Sequence, residues 1–265
     1  MTESHFRFRV RLSLWVDRYV QRIIRWTNAI HEGFWLGCLD TGDLNAVSIR
    51  FYQRSPSYNG PEHNLQGLFS WEKIMLDQFF QPGSRVLVAG AGGGRELIAL
   101  HRAGYAADGF DCTPSLVETS RRLADDLQIP CTITLCPPND VPPNLPLYDA
   151  AIVGWTVYTC IPGRAHRIAF LQKIRHCLPH EAPILVSVWG RSETTRADRW
   201  MQKLAERLRR LRGRPAEPVE LGDEIVSFGY HHCFDHRELE EELRAGGFEM
   251  RRFSDEHYCA VALAN

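Results

Sequence analysis

The chain has 265 residues, 44% of them hydrophobic and 24% charged, proportions that exclude a disordered or fibrous protein and allow one large buried core. Lys and Arg number 31 against 32 Asp and Glu, a net charge of -1. That balance excludes a global basic field directed at nucleic acid or anionic lipid.

In chain order, the first predicted element is a helix. Leu12, Trp15, Val16, Tyr19, Val20, Ile23 and Ile24 recur at helical spacing, with Arg11, Arg18, Arg22 and Arg25 on the other side. A basic amphipathic helix can lie on a membrane. The expected role here is docking on the core or on a second subunit, which would give a homodimer. Arginines interrupt every apolar stretch before Ala29, so no signal peptide is expected. No apolar run reaches the ~18 residues of a transmembrane helix.

A segment rich in Gly, Ser, Asn and Tyr follows from Ser55 to Gly67. A second helical pattern runs from Leu68 to Phe80 and stops at Pro82 and Gly83. Residues 1–80 are expected to form a helical cap on a core spanning 81–265.

From Arg85 short apolar runs alternate with helical patterns. Strands are predicted at Arg85–Ala89, Ala106–Asp111, Cys131–Cys136, Ala150–Gly154 and Ile184–Trp189. Helices are predicted at Glu96–Ala103, Ser115–Leu127 and Arg164–Cys177. Continuous apolar strands alternating with helices imply a parallel sheet covered on both faces. An insert at 191–226 interrupts the rhythm. It carries a basic helix from about Arg199 to Arg212 and an acidic loop with Glu217, Glu220, Asp223 and Glu224. The chain closes with a strand (Ser227–Cys233), a helix (His236–Ala245) and two strands (Phe248–Phe253 and Tyr258–Leu263).

The eight cysteines form no CxxC pair and share no zinc-finger spacing with histidines. Cys112, Cys131 and Cys259 lie in apolar strand-like runs, so reduced, buried thiols in a cytoplasmic protein are expected. No metal site is expected.

The richest signal is VLVAGAGGGRE, from Val86 to Glu96. A buried strand ends in glycines and a helix follows, so backbone N–H groups are open to a ligand. The dinucleotide fingerprint GxGxxG is broken, because the sixth position from Gly90 is Arg95. At the end of the next strand stands Asp111, in GFDCTP, where a carboxylate can accept both ribose hydroxyls of an adenosyl group or can serve only as the N-terminal signal of the following helix.

These residues resemble motif I and the following acidic loop of class I S-adenosylmethionine-dependent methyltransferases. Leu147 to Trp155, Arg167 to Trp189, and the closing segment from Tyr230 to Phe248 resemble later parts of that family. The resemblance spans about 80–190 and 227–265. It implies an α/β, Rossmann-like doubly wound, mostly parallel seven-stranded sheet with the N-terminal helices as cap. It implies S-adenosyl-L-methionine as cofactor. By the same resemblance Gly90, Ala91, Gly92 and Gly94 shape the turn, Asp111 holds the ribose and Cys112 flanks the adenine. Asn139 or Asp140 meets the adenine amino group, and Gly154 and Trp155 stand at the rim where methyl transfer occurs. The family often has an acid two residues before the first motif glycine, where this chain has Val88. Arg95 either pairs with the cofactor's carboxylate or faces solvent.

A hydroxyl or ammonium acceptor must lose a proton, and Tyr158, His166 and His232 are the catalytic candidates. Tyr52, Tyr58, Asn64, Tyr158 and Trp189 are candidates to face a small organic acceptor. Glu62, His63, His231 and His236 lie in the same regions. The bland alternative is that these aromatics and histidines only pack the cap and the strand ends. The expected activity is methyl transfer to an O or N atom. An RNA-directed enzyme using the basic 196–214 helix and a non-catalytic module of the same fold are the alternatives. Neutral overall charge argues against nucleic acid.

Overall fold

The computed structural model describes residues 3–191, 193–213, 218–226 and 229–265, with side chains described from Arg7 onward. In chain order it contains α1 (Glu3–Cys38), α2 (Thr41–Arg54), α3 (Pro56–Asn59), α4 (Pro61–Leu65) and α5 (Ser70–Phe79). Then come β1 (Arg85–Ala89), α6 (Arg95–Arg102), β2 (Ala106–Asp111), α7 (Pro114–Asp126), β3 (Ile133–Leu135) and β4 (Ala150–Val153). A 3-10 turn (Tyr158–Cys160) leads to α8 (Arg164–Arg175), β5 (Pro183–Ser187), β6 (Trp189–Gly190) and α9 (Arg196–Leu211). The last elements are β7 (Asp223–Val226), β8 (Gly229–Phe234), α10 (His236–Ala245), β9 (Phe248–Ser254) and β10 (Cys259–Ala264). Two compact units result: Met1–Leu39 with Ser192–Leu221, and Asp40–Arg191 with Gly222–Asn265.

The larger unit is built on a seven-stranded sheet in the order β3-β2-β1-β4-β5-β10-β9. The strands from β3 to β5 are mutually parallel, and β10 runs antiparallel to both β5 and β9. Alternation along β1 decides its two faces. Leu87 and Ala89 join Phe170, Leu171 and Ile174 of α8 and Leu239 and Leu243 of α10. Val86 and Val88 join Met75 and Leu76 of α5 and Leu97, Ile98 and Leu100 of α6. Burial on both faces is why these strands read as continuous apolar runs. The chain leaves β1 toward β2 on one side and reaches β4 on the other. The switch point, where such sheets bind ligands, therefore lies beyond the carboxyl ends of β1 and β4.

The smaller unit pairs α1 with α9. A Cβ at Gly33 would lie 2.9 Å from the Met201 carbonyl oxygen, and one at Gly37 would lie 2.7 Å from Leu208 Cβ. Small residues at this spacing let the two backbones approach. Trp26 meets Trp200 edge-to-face at 5.7 Å, and Arg209 Nε donates to the Leu36 carbonyl at 2.9 Å. The contacts ascend together along both helices, so the two run parallel.

The structure corrects several expectations. The cap expected over 1–80 is divided: residues up to Leu39 group with much of the insert, while 40–80 belong to the larger unit. The segment Ser55–Gly67, rich in Gly, Ser, Asn and Tyr, holds two short helices, α3 and α4, each started by a proline at its first position. Asp223 and Glu224 are not loop residues; they open β7, antiparallel to β8. The apolar side chains from Leu12 to Ile24 are not covered by a core, being 42–58% exposed. Among the described residues no helix is long and apolar enough to cross a membrane.

Candidate active site

The glycine turn is fastened to the end of β2. The Gly90 and Ala91 N–H groups both donate to the Phe110 carbonyl at 2.9 Å. Gly92 N–H donates to Asp111 Oδ2 at 2.9 Å, and Thr113 N–H to Asp111 Oδ1 at 2.7 Å. The Asp111 carboxylate is buried. Burial pushes its pKa up, and the Thr113 and Gly92 N–H groups pull it back down. The segment after β4 closes on the turn from the other side. A Cβ at Gly154 would sit 2.3 Å from the Gly90 carbonyl oxygen, so only glycine permits the approach.

An open cleft with about 1040 Å³ of empty volume lies here, at the switch point. Gly90, Ala91, Gly92 and Arg95 line one side, and Asp111, Cys112, Asn139, Asp140 and Trp155 also border it. Tyr52, Tyr58 and Asn64 line it from α2 through α4. Gly94 and Gly154 stand behind the wall instead. Gly94 begins α6 in a left-handed conformation against Ser120.

Arg95 takes neither role expected of it. Its side chain is 2% exposed. It donates to both Glu72 oxygens at 2.7 Å, to Glu96 at 2.5 Å and to the Gly67 carbonyl at 3.1 Å. Its guanidinium also lies 4.1 Å from the Phe69 ring centre. Burial alone would lower its pKa, but the Glu96 and Glu72 carboxylates outweigh this and raise it. Arg95 is thus spent on fixing the start of α5 and the glycine turn together. Glu96 Oε1 accepts from the Trp155 N–H at 3.3 Å, extending the network to the rim.

Four other candidates lie outside the cleft lining. Tyr158 is fully buried, donates to Glu242 at 2.7 Å and stacks on Phe234. Glu242 in turn holds the buried Arg167 at 2.7 Å, so Tyr158 is part of a structural joint between α8 and α10. His232 is buried on β8 between Asp223 at 2.7 Å and Glu238 at 3.0 Å. His166 is engaged by the Pro162 carbonyl at 2.9 Å. Trp189 is exposed and packs edge-on to His231. Asp140 lines the cleft, but it pairs with Lys173, whose hydrogen bond lowers its pKa.

Sequence reasoning left out Asn45, Ser48 and Ile49 of α2, and Val157 and Cys160 after β4, all of which line the cleft. No motif marks them; only the helical spacing of α2 hints at an inward face. His63 was noted only for its segment. It lines the cleft beside Tyr58, with ring centres 4.9 Å apart. Burial, and then the Arg95 charge, push its pKa below the ordinary histidine value. On α9 the basic stripe is not uniform, since Arg209 is buried against Leu36. Arg214 and Glu217 lie outside the described residues.

No family model matches the chain, and no curated protein matches it. Solved structures do. One is a SAM-dependent methyltransferase from Methanosarcina mazei, 17% identical, with 75% of this chain and 98% of that one covered and a TM-score of 0.55. Another is the sugar N-methyltransferase from Streptoalloteichus sp., 12% identical, covering 78% and 91%, with a TM-score of 0.55. A third is the Burkholderia thailandensis 1,6-didemethyltoxoflavin-N1-methyltransferase, solved with its acceptor and S-adenosylhomocysteine. It is 15% identical, covers 86% and 91%, and has a TM-score of 0.58. Strand order, glycine turn and these likenesses agree: the chain has the class I S-adenosylmethionine-dependent methyltransferase fold.

Proposed function

We propose that the protein is an S-adenosylmethionine-dependent methyltransferase acting on an oxygen or nitrogen atom of a small organic acceptor. The observation that carries this reading is the buried Asp111 carboxylate, held by two backbone N–H groups at the switch-point cleft. A carboxylate is acceptor-only and has about four lone-pair sites. Two are used by Gly92 and Thr113, which leaves capacity for a vicinal diol. Cys112 and Leu116 offer apolar surface for a base. The Cys112 thiol stays protonated, pushed up to about 12 by burial and then by Asp111. Asn139 borders the cleft in a left-handed backbone conformation, φ 61°, and is assigned the adenine edge in preference to the ion-paired Asp140. The residues present therefore fit the cofactor, with Val88 and the occupied Arg95 leaving its amino-acid end to backbone donors.

When bound, S-adenosylmethionine supplies an electrophilic methyl group on a sulfonium. The chain's own residues position and deprotonate the acceptor. Tyr52 and Tyr58 pack edge-to-face at 5.1 Å and form an aromatic wall. Burial raises both phenol pKa values, so they remain hydrogen-bond donors. His63, neutral at pH 7, takes the proton that a hydroxyl or ammonium acceptor loses. Alignment in a shielded cleft supplies much of the acceleration in such an in-line displacement. The sugar and didemethyltoxoflavin enzymes among the similar structures support a small-molecule acceptor. The free cysteines support a reducing, cytoplasmic compartment.

Calorimetric titration with S-adenosylhomocysteine, alongside NAD, tests the assignment. Binding of the former only, at least about tenfold weaker in Asp111→Ala for the loss of charge-assisted hydrogen bonds, is expected. Binding of neither ligand by folded protein overturns it.

A further inference from the structure

The near-zero net charge conceals a division. Met1–Leu39 with Ser192–Leu221 carry 14 Lys and Arg against 8 Asp and Glu, and the rest of the chain carries 17 against 24. The excess of positive charge therefore resides on the helix pair.

Helix α1 is 36 residues long. Its contacts with α9 involve Trp26, Gly33, Leu36 and Gly37. The preceding turns carry an apolar face that remains exposed: Phe8 63%, Leu12 48%, Trp15 58%, Tyr19 56% and Ile23 50%. At ~100° per residue these five fall within an arc of about 80°. Val16, Val20 and Ile24, also exposed, widen the face. Arg7, Arg11, Arg18, Arg22 and Arg25 fall in a separate arc of about 60° along one flank, while Arg9 alone lies on the apolar side, between Val16 and Val20. Asp17 is the sole acid between Arg7 and Arg25. On α9, Arg196, Arg199, Lys203, Arg207 and Arg210 are exposed as a second basic row.

We propose that residues 7–25 of α1 form an in-plane anchor that binds the surface of an anionic phospholipid bilayer. The combination of features selects this occupant. A bilayer interface takes up a broad Leu, Val, Ile and aromatic face while its headgroup phosphates meet flanking arginines. Trp and Tyr are the side chains that settle at that interface. A second copy of α1 on the same face would bring the two arginine rows together if antiparallel and set them on opposite flanks if parallel, in either case with Asp17 as the only acid of residues 7–25 to answer them. Nucleic acid would answer the arginines but leave the aliphatic face in water.

The test uses the full chain and flotation with phosphatidylglycerol–phosphatidylcholine vesicles or phosphatidylcholine vesicles alone. The expected result is binding to the anionic vesicles that weakens as salt rises and is at least about tenfold weaker on neutral ones. Trp15→Glu with Tyr19→Glu should abolish flotation. Arg18→Gln with Arg22→Gln and Arg25→Gln should weaken it by about tenfold or more. Both sets lie on exposed positions, and an unchanged circular-dichroism melt verifies folding. The wild-type comparison and a lipid-induced blue shift of its tryptophan emission stand without any variant. Failure to float with anionic vesicles overturns the proposal, as does equal flotation with both kinds. A dimer in sedimentation velocity that Trp15→Glu dissociates, in protein that does not float, assigns the face to a second copy and also overturns it.

Discussion

Arg95 and His63 show how neighbours decide what a polar side chain does. Arg95 has the right shape to clamp a carboxylate, yet Glu72 and Glu96 consume it inside the protein. His63 is instead kept neutral by partial burial and the nearby Arg95 charge. Its protonated form cannot accept a proton. Once an acceptor is identified, methyl-transfer kcat/KM should therefore fall as pH drops through a value below 6.5, the ordinary histidine value. His63→Gln should lose about a hundredfold or more in rate, the usual contribution of a general base, and lose the acid limb with it. An unchanged acid limb in the variant would assign the base elsewhere.

At the scale of elements, the decisive joint is the one between α8, α10 and the 3-10 turn. Arg167 and Glu242 are both fully buried and paired at 2.7 Å, with Tyr158 donating to the same carboxylate. A buried pair adds little net stability over apolar packing, but removing one partner strands the other. Glu242→Ala should therefore lower unfolding free energy by about 3–5 kcal/mol in urea denaturation. Tyr158→Phe, which leaves the ion pair intact, should cost about 1 kcal/mol. In the smaller unit the pairing of α1 with α9 depends on the absence of side chains at Gly33 and Gly37, which brings the backbones close enough for Arg209 to reach the Leu36 carbonyl.

For the whole molecule, two adjacent histidines on β8 set opposite pH limits. Burial tends to lower the pKa of His232, but Asp223 and Glu238 outweigh it and raise it to about 9. A raised histidine stabilises the fold below its ordinary value, and that contribution is lost as pH rises through about 9. His231 is lowered to about 4 by burial, so the unfolded chain takes up its proton first and stability is lost as pH falls from 6.5 toward 4. Thermal melts across pH should show maximal stability near 6.5. His232→Gln should flatten the alkaline decline, and a decline of unchanged slope would contradict the charged, doubly paired state.

Much of the larger unit is legible from local pattern. Strands β1 and β2 and helix α10 fall where periodicity places them, residue for residue. A strand buried on both faces must be mostly apolar, its buried acids partnered as Asp108 of β2 is by Arg85, and glycine, proline and capping residues mark its ends. The same locality places Asp111 at the end of the next strand, β2, one helix after the glycines. Everything that depended on a distant partner was decided only by tertiary structure. Arg95 finds Glu72 across 23 residues, Tyr158 finds Glu242 across 84, and Arg209 finds Leu36 across 173. Which helix meets the apolar side of α1, and how much of that side stays in water, depended on α9, more than 150 residues away. The sequence thus determined the sheet, the glycine turn and the buried carboxylate at the end of β2, because each rests on short-range sterics and burial. Folding alone decided which polar groups remain for chemistry, because a buried charge takes the nearest partner that the packed chain provides.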